Sequence, residues 1–234
     1  MRVNRQPLGA GGGEHADEMP SRHDAGGGRA IVLAAPPGRH LFDAFDRRPR
    51  AANIWPPEPD GFYIDPSWCS ERLFASERFT GSVWDPAVGI GRIAEAARHA
   101  GYSTYATDIA DRGYQHFDGC GDFLRCEQAR GDNIICNPPY HICRAFLEHA
   151  LKLARERIAM IWLARRLNAA RWLADTPLVR IYLLTPRPSM PPGHIILAGA
   201  KPRGGTQDFC WLVFDHRHTG APELRWLHRD GARP

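Results

Sequence analysis

From Ser82 to Phe214, short apolar runs alternate with stretches whose apolar residues recur at three and four positions, a rhythm that a sheet with helices packed on both faces accommodates. Ser67 to Ser76 reads as a helix and Ser82-Val83-Trp84 as a short strand. Ile90 to Ala100 reads as a second helix, with Ile93, Ala94, Ala97 and Ala100 at helical spacing and Gly101 placed to stop it. Thr104 to Thr107 and Asn133 to Cys136 follow as strands, then Arg144 to Arg155 as an amphipathic helix. Ile158 to Leu163, Val179 to Leu184 and Phe209 to Phe214 add buried strands. The expected fold class is α/β, a doubly wound and mostly parallel sheet.

A chain of 234 residues suits one main domain, placed at 51–220 between an arm at 1–50 and a tail at 221–234. The arm is rich in Gly, Arg, Pro and Ala, a composition that buries little, and only Ile31 to Ala35 resembles an apolar element there. From Ile54 to Phe62 aromatics alternate with prolines, which implies an ordered, irregular segment. No apolar run reaches the ~18 residues of a membrane span, and no secretory signal opens the chain, so a soluble cytoplasmic protein is expected. Six cysteines without a Cys-x-x-Cys pair imply reduced thiols and no metal site. All but two of the 30 basic residues are arginine, whose planar fork suits phosphates and bases, although a guanine- and cytosine-rich genome would give the same bias.

In a doubly wound sheet, ligands bind beyond the carboxyl ends of the strands. Asp85-Pro86-Ala87-Val88-Gly89-Ile90-Gly91 lies at such a strand-to-helix junction, where Gly89 and Gly91 allow close approach. About twenty residues on, a second strand ends in Thr107-Asp108-Ile109, where such folds hold a ribose. Gly121-Asp122-Phe123-Leu124 then offers a carboxylate for an adenine amine and an apolar wall for its ring. The first turn lacks the third glycine of a dinucleotide site, and Asp85 beside it would repel a pyrophosphate. It suits a cofactor with a cationic end, such as S-adenosylmethionine.

Ile134-Ile135-Cys136-Asn137-Pro138-Pro139-Tyr140 runs from a buried strand into a turn stiffened by two prolines. The Asn137 side-chain oxygen and the Pro138 carbonyl can both accept hydrogen bonds from one NH2 group, with Tyr140 stacked on the planar group that carries it. Such contacts free the amine lone pair for attack, so orientation and electrostatics suffice and no strong base is required.

With these four elements in this order, the chain resembles the class I, Rossmann-like methyltransferases bearing an Asn-Pro-Pro-aromatic motif, and in particular the DNA N6-adenine methyltransferases of the small, phage-like kind. The resemblance spans about Phe62 to Phe214. It implies S-adenosylmethionine as cofactor, with Asp85, Pro86, Gly89 and Gly91 along its methionine part, Asp108 and Ile109 at its ribose, and Asp122 and Phe123 at its adenine. Tyr63-Ile64-Asp65-Pro66 is similar to the family's upstream element at the methionine end, with Asp65 where the family usually has Thr. Asn137, Pro138, Pro139 and Tyr140 are then the catalytic residues. Arg187-Pro188-Ser189 and Asp208-Phe209-Cys210-Trp211 resemble the downstream stretch, which makes Arg187, His194, Phe209 and Trp211 candidates beside Tyr140 for the target base, although a strand-borne aromatic also suits a core. The implied partner is nucleic acid, DNA ahead of RNA, with the base flipped from its stack. Short or relaxed sequence specificity is expected, because only about fifty residues separate the catalytic turn from the loop at Met190 to Gly205, too few for a separate recognition domain between them. An RNA base amino-methyltransferase and a non-catalytic binding module are the alternatives.

Overall fold

The computed structural model describes Glu58, residues 61–201 and residues 204–231. The arm at 1–50, with Ile31 to Ala35, and most of 54–60 lie outside the described residues. Twelve helices and strands follow in the order α1 (Ser67–Ser76), β1 (Val83–Asp85), α2 (Arg92–His99), β2 (Thr104–Asp108), β3 (Gly119–Cys120), β4 (Asn133–Cys136), α3 (Cys143–Leu153), β5 (Arg157–Leu163), β6 (Leu178–Thr185), α4 (Gly193–Leu197), β7 (Phe209–Asp215) and β8 (Glu223–His228).

The strands form one sheet in the order β3-β2-β1-β4-β5-β7-β6-β8. Neighbours are parallel from β3 to β5, and β7 alone runs against both β5 and β6. The chain order reverses between β1 and β4, which opens the crevice where such sheets bind ligands.

Alternation along the central strands feeds two cores. On β5, Ile158, Met160 and Trp162 join one cluster, with Phe146, Leu147 and Ala150 of α3. Ala159, Ile161 and Leu163 join the other, with Leu73 of α1 and Ile93 and Ala97 of α2. Strands buried on both faces read as continuous apolar runs, as β4, β5 and β7 do.

The segment at 221–234, expected as a tail, instead carries β8, paired in parallel with β6 from Arg180–Glu223 to Thr185–His228. Its sequence hid the strand because it forms the sheet edge: four of its six residues are exposed, and Leu227 alone is buried. A buried network joins the sheet to the end of α1. Glu77 receives Arg157 Nη1 at 3.0 Å, Arg180 Nη1 at 2.6 Å and the Tyr182 hydroxyl at 2.7 Å.

Candidate active site

The carboxyl ends of β1, β2 and β4 meet the irregular segment that precedes α1, and a constricted compartment lies between them. Its wall includes Phe62, Tyr63, Asp65, Asp85, Gly89 and Asn137. The upstream segment is pinned from across the fold: Ile64 N–H donates to the Pro191 carbonyl at 3.0 Å, and Gly193 N–H to the Phe62 carbonyl at 2.7 Å. The Phe62 ring lies so close over Gly193 that a Cβ there would stand 2.0 Å from it, so residue 193 must lack a side chain. At the β1 turn, Gly91 has φ +89° and begins α2, a left-handed conformation natural to glycine.

Carboxylates dominate the compartment. Asp85 is 1% exposed and Asp65 5% exposed, and each has one side-chain oxygen, Oδ2, buried without a partner. The other Asp85 oxygen accepts from Ala87 N–H at 3.2 Å. Desolvation pushes the Asp85 pKa well above the usual carboxylate range, and the nearby Asp65 and Asp108 charges add to it. Burial likewise raises Asp65 to about 6, against the opposing pull of its own backbone N–H, the Asn137 amide and the Arg92 charge. Buried carboxylates with orphaned oxygens are costly unless a cation or donor completes them. The residues therefore fit a ligand with a cationic end, as S-adenosylmethionine has.

A second cleft continues past Asp108 and Ile109 and is lined by Pro86, Asp122, Phe123, Pro139 and Phe146, among others. Asp122 caps the short 3-10 turn at Phe123–Arg125 by accepting from Leu124 N–H at 3.0 Å. Arg112 stands between the two spaces and lines both. Its guanidinium lies 4.0 Å over the Phe62 ring, and its Nε is 3.8 Å from Asp108 Oδ1. Asp108 Oδ2 accepts from Gly89 N–H at 2.9 Å.

Asn137 is half-buried and lines the compartment. Its amide donates two long hydrogen bonds, to the Tyr63 carbonyl at 3.4 Å and to Asp65 Oδ1 at 3.5 Å. These donors leave its oxygen facing the Tyr140 hydroxyl, which donates to it at 2.9 Å and lies 3.1 Å from the Met190 sulfur. The Tyr140 ring packs on Tyr63 at 5.6 Å between centroids and on Phe209 at 5.7 Å. Arg166 closes the turn from outside by donating to the Tyr140 carbonyl at 2.5 Å.

The fold is that of the class I methyltransferases. No family model matches the chain, and no curated protein does. A candidate RNA methyltransferase from Pyrococcus horikoshii is similar at 16% identity with a TM-score of 0.51, covering 70% of this chain and 93% of its own. The EcoKI M protein of a type I restriction enzyme gives 14% identity and a TM-score of 0.46, over 68% of this chain and 44% of that one. Magnesium protoporphyrin IX methyltransferase from Synechocystis, solved with bound SAM, gives 14% and 0.42, over 62% and 76%. At these identities the likeness is one of architecture.

The structure gathers most of the expected residues around the two connected spaces. Tyr63, Asp65, Asp85, Gly89, Asp108, Ile109, Asn137 and Pro139 line the first, and Pro86, Asp122 and Phe123 the second. Pro66 caps α1 and Gly91 caps α2, both off these walls, while Pro138 is buried in the turn. Phe209 reaches the site through the Tyr140 ring. Three downstream candidates lie off the walls of both spaces. Trp211 is core, 0% exposed, its indole N–H donating to the Cys69 carbonyl at 2.9 Å. Arg187 pairs with Asp208 at 2.6 Å and lines a separate depression by Trp226. His194 turns outward to Glu58, with 2.6 Å between Nδ1 and Oε2. Sequence reasoning missed Phe62, Arg112, Arg166 and Met190; Arg112 carried a faint signal, standing four residues after Asp108, the acid expected at a ribose.

Among the described residues, no group of three or more His, Cys, Asp or Glu could hold a metal ion, and no helix is long and apolar enough to cross a membrane.

Proposed function

We propose that this protein transfers a methyl group from S-adenosylmethionine to the exocyclic amine of a nucleobase, adenine N6 in DNA first. The observation that carries the reading is the placement of the Asn137 amide on the wall of a compartment that it shares with two buried, incompletely partnered carboxylates, one of them its hydrogen-bond acceptor. When bound, the cofactor supplies an electrophilic methyl group on a sulfonium. Asp65 and Asp85 would face its cationic methionine end, Asp108 its ribose, and Asp122 and Phe123 its adenine.

The chain's own part is to hold and polarise the amine. Asn137 is fixed by donating to Tyr63 and Asp65, so its oxygen is oriented as an acceptor. That oxygen has a second lone pair beyond the one engaged by Tyr140, enough to accept an N–H of the target. Among the described residues no backbone N–H donates to the Pro138 carbonyl, which is thus available as the second acceptor. Drawing both amine hydrogens into hydrogen bonds turns the nitrogen lone pair out of conjugation and toward the methyl carbon. The proton is lost after transfer, to water.

The Tyr140 ring is packed between Tyr63 and Phe209 and lines neither space, so its part is to hold Asn137, while Phe62 and Tyr63 give the compartment its aromatic wall. The aromatic lining suits a planar, π-rich acceptor and so favours a base over an aliphatic amide. The second reading, a base amine in RNA, draws on the fold likeness to the Pyrococcus horikoshii protein. Incubation with methyl-labelled cofactor and DNA, ribosomal RNA or protein, followed by digestion to nucleosides, tests both. Label in N6-methyl-2′-deoxyadenosine from DNA is expected; label confined to protein would refute both readings.

A further inference from the structure

The acid-lined compartment holds one more carboxylate than a single ammonium group requires. Asp85 is the last residue of β1 and Asp65 belongs to the upstream segment, yet both line the same space. Neither is a solvated turn residue: they are 1% and 5% exposed, and each directs a buried oxygen that no protein group satisfies. Arg92, on the same wall, donates to Ser67 Oγ at 3.1 Å, and so leaves the Asp65 oxygen orphaned. Two buried carboxyl groups facing one space are costly to ionise together, and a ligand carrying more than one positive centre would favour the charged form of both.

The two forms of the cofactor differ in this respect. The methyl donor carries an ammonium and a sulfonium, whereas the demethylated product keeps the ammonium and has a neutral thioether. Asp65 differs from Asp85 in its position, because its Oδ1 accepts from the Asn137 amide and it therefore stands at the end of the compartment next to the catalytic turn. A charge fixed there acts on the sulfur end and is worth more in this desolvated setting than it would be in water.

We propose that Asp65 is a specificity-determining residue that makes the compartment bind the sulfonium form in preference to the neutral thioether product. The inference rests on the reading of this compartment as the S-adenosylmethionine site. The extra carboxylate lets the product leave once the methyl group has gone, and keeps product inhibition weak. A threonine at this position would hydrogen-bond without telling the two forms apart.

The test is calorimetric titration of S-adenosylmethionine and S-adenosylhomocysteine into the full chain at pH 7.5, with wild type, Asp65→Asn and Asp65→Thr. Thermal melts of each variant confirm that it is folded. The wild type is expected to bind the sulfonium form more tightly, and both substitutions to shrink that preference by about tenfold, with affinity for the thioether form little changed. A purely structural role would weaken both ligands in proportion and leave the ratio intact, and that result overturns the proposal alone. Failure of the wild type to bind either ligand overturns the cofactor reading and the proposal together.

Discussion

The hydroxyl of Tyr140 donates to the side-chain oxygen of Asn137 at 2.9 Å, so two residues of one turn are locked to each other before any substrate arrives. The bond fixes the amide with its oxygen presented and its NH2 group turned to Tyr63 and Asp65.

Tyr140→Phe keeps the ring and deletes that bond. Methyl transfer under saturating conditions should slow by about tenfold, with cofactor affinity unchanged, because only the orientation of the acceptor is loosened. Asn137→Ala removes the acceptor and should cost about a hundredfold or more. Single-turnover rates beside equilibrium binding provide the comparison; a Tyr140→Phe enzyme as fast as wild type would show that the hydroxyl plays no part in presenting the amide.

Arg112 occupies Asp108 and lies over Phe62, and its own Nε is buried without a hydrogen bond. A ribose that reaches Asp108 must displace it. Arg112→Ala should therefore tighten S-adenosylmethionine binding several-fold and speed its association, as read by stopped-flow fluorescence. Weaker binding in this variant would mean that the guanidinium is itself a cofactor contact.

Asp65 gives a pH signature. Its folded pKa, about 6, lies above the ordinary 3.8, so the native state holds its proton more tightly than the unfolded chain does. The penalty for its charge is absent below about pH 4, grows as pH rises to about 6, and stays constant above, at about 3 kcal/mol. Asp65→Asn should thus raise stability at pH 7.5 and change it little at pH 4. The groups facing Asp65 are Asp85, Arg92, Cys69, Asn137 and Tyr140. Urea melts at the two pH values check the difference, and an equal effect at both would locate the titration elsewhere, Asp85 being the first candidate.

Glu77 is the hub that joins α1 to β5 and β6, with a side chain 3% exposed. Glu77→Ala would leave two guanidinium groups and the Tyr182 hydroxyl short of a partner, a loss of about 3–5 kcal/mol. Denaturant unfolding should show a lower midpoint at an unchanged slope, while a midpoint within experimental scatter would mean that solvent replaces the carboxylate freely.

The sheet and its acidic turns were legible because each follows from a local rule. Ser67–Ser76 and Asn133–Cys136 fall where periodicity put them, and Asp85, Asp108 and Asp122 follow strand ends as a doubly wound sheet requires. What escaped depends on tertiary neighbours. Edge strand β8 lacks the double-sided burial that marks β5 and β7. Trp211 and Phe209 sit two residues apart on one strand face, yet one is sealed beneath α1 by its bond to Cys69, and the other reaches the Tyr140 ring. Nothing local separates them. Phe62 and Arg112 meet across fifty residues of chain, and only their contact gives either a role.

The strap across the candidate site, in which residues 62–64 are held by Pro191 and Gly193, also sets a schedule. Asn137 leaves the ribosome more than fifty residues before Gly193 does, so the turn at 137–140 is synthesised well ahead of the element that holds the strap over it. A chain cut short of Pro191 would lack both of the backbone bonds that hold residues 62–64. The strap can close only late in synthesis, when the downstream loop reaches back to the beginning of the domain.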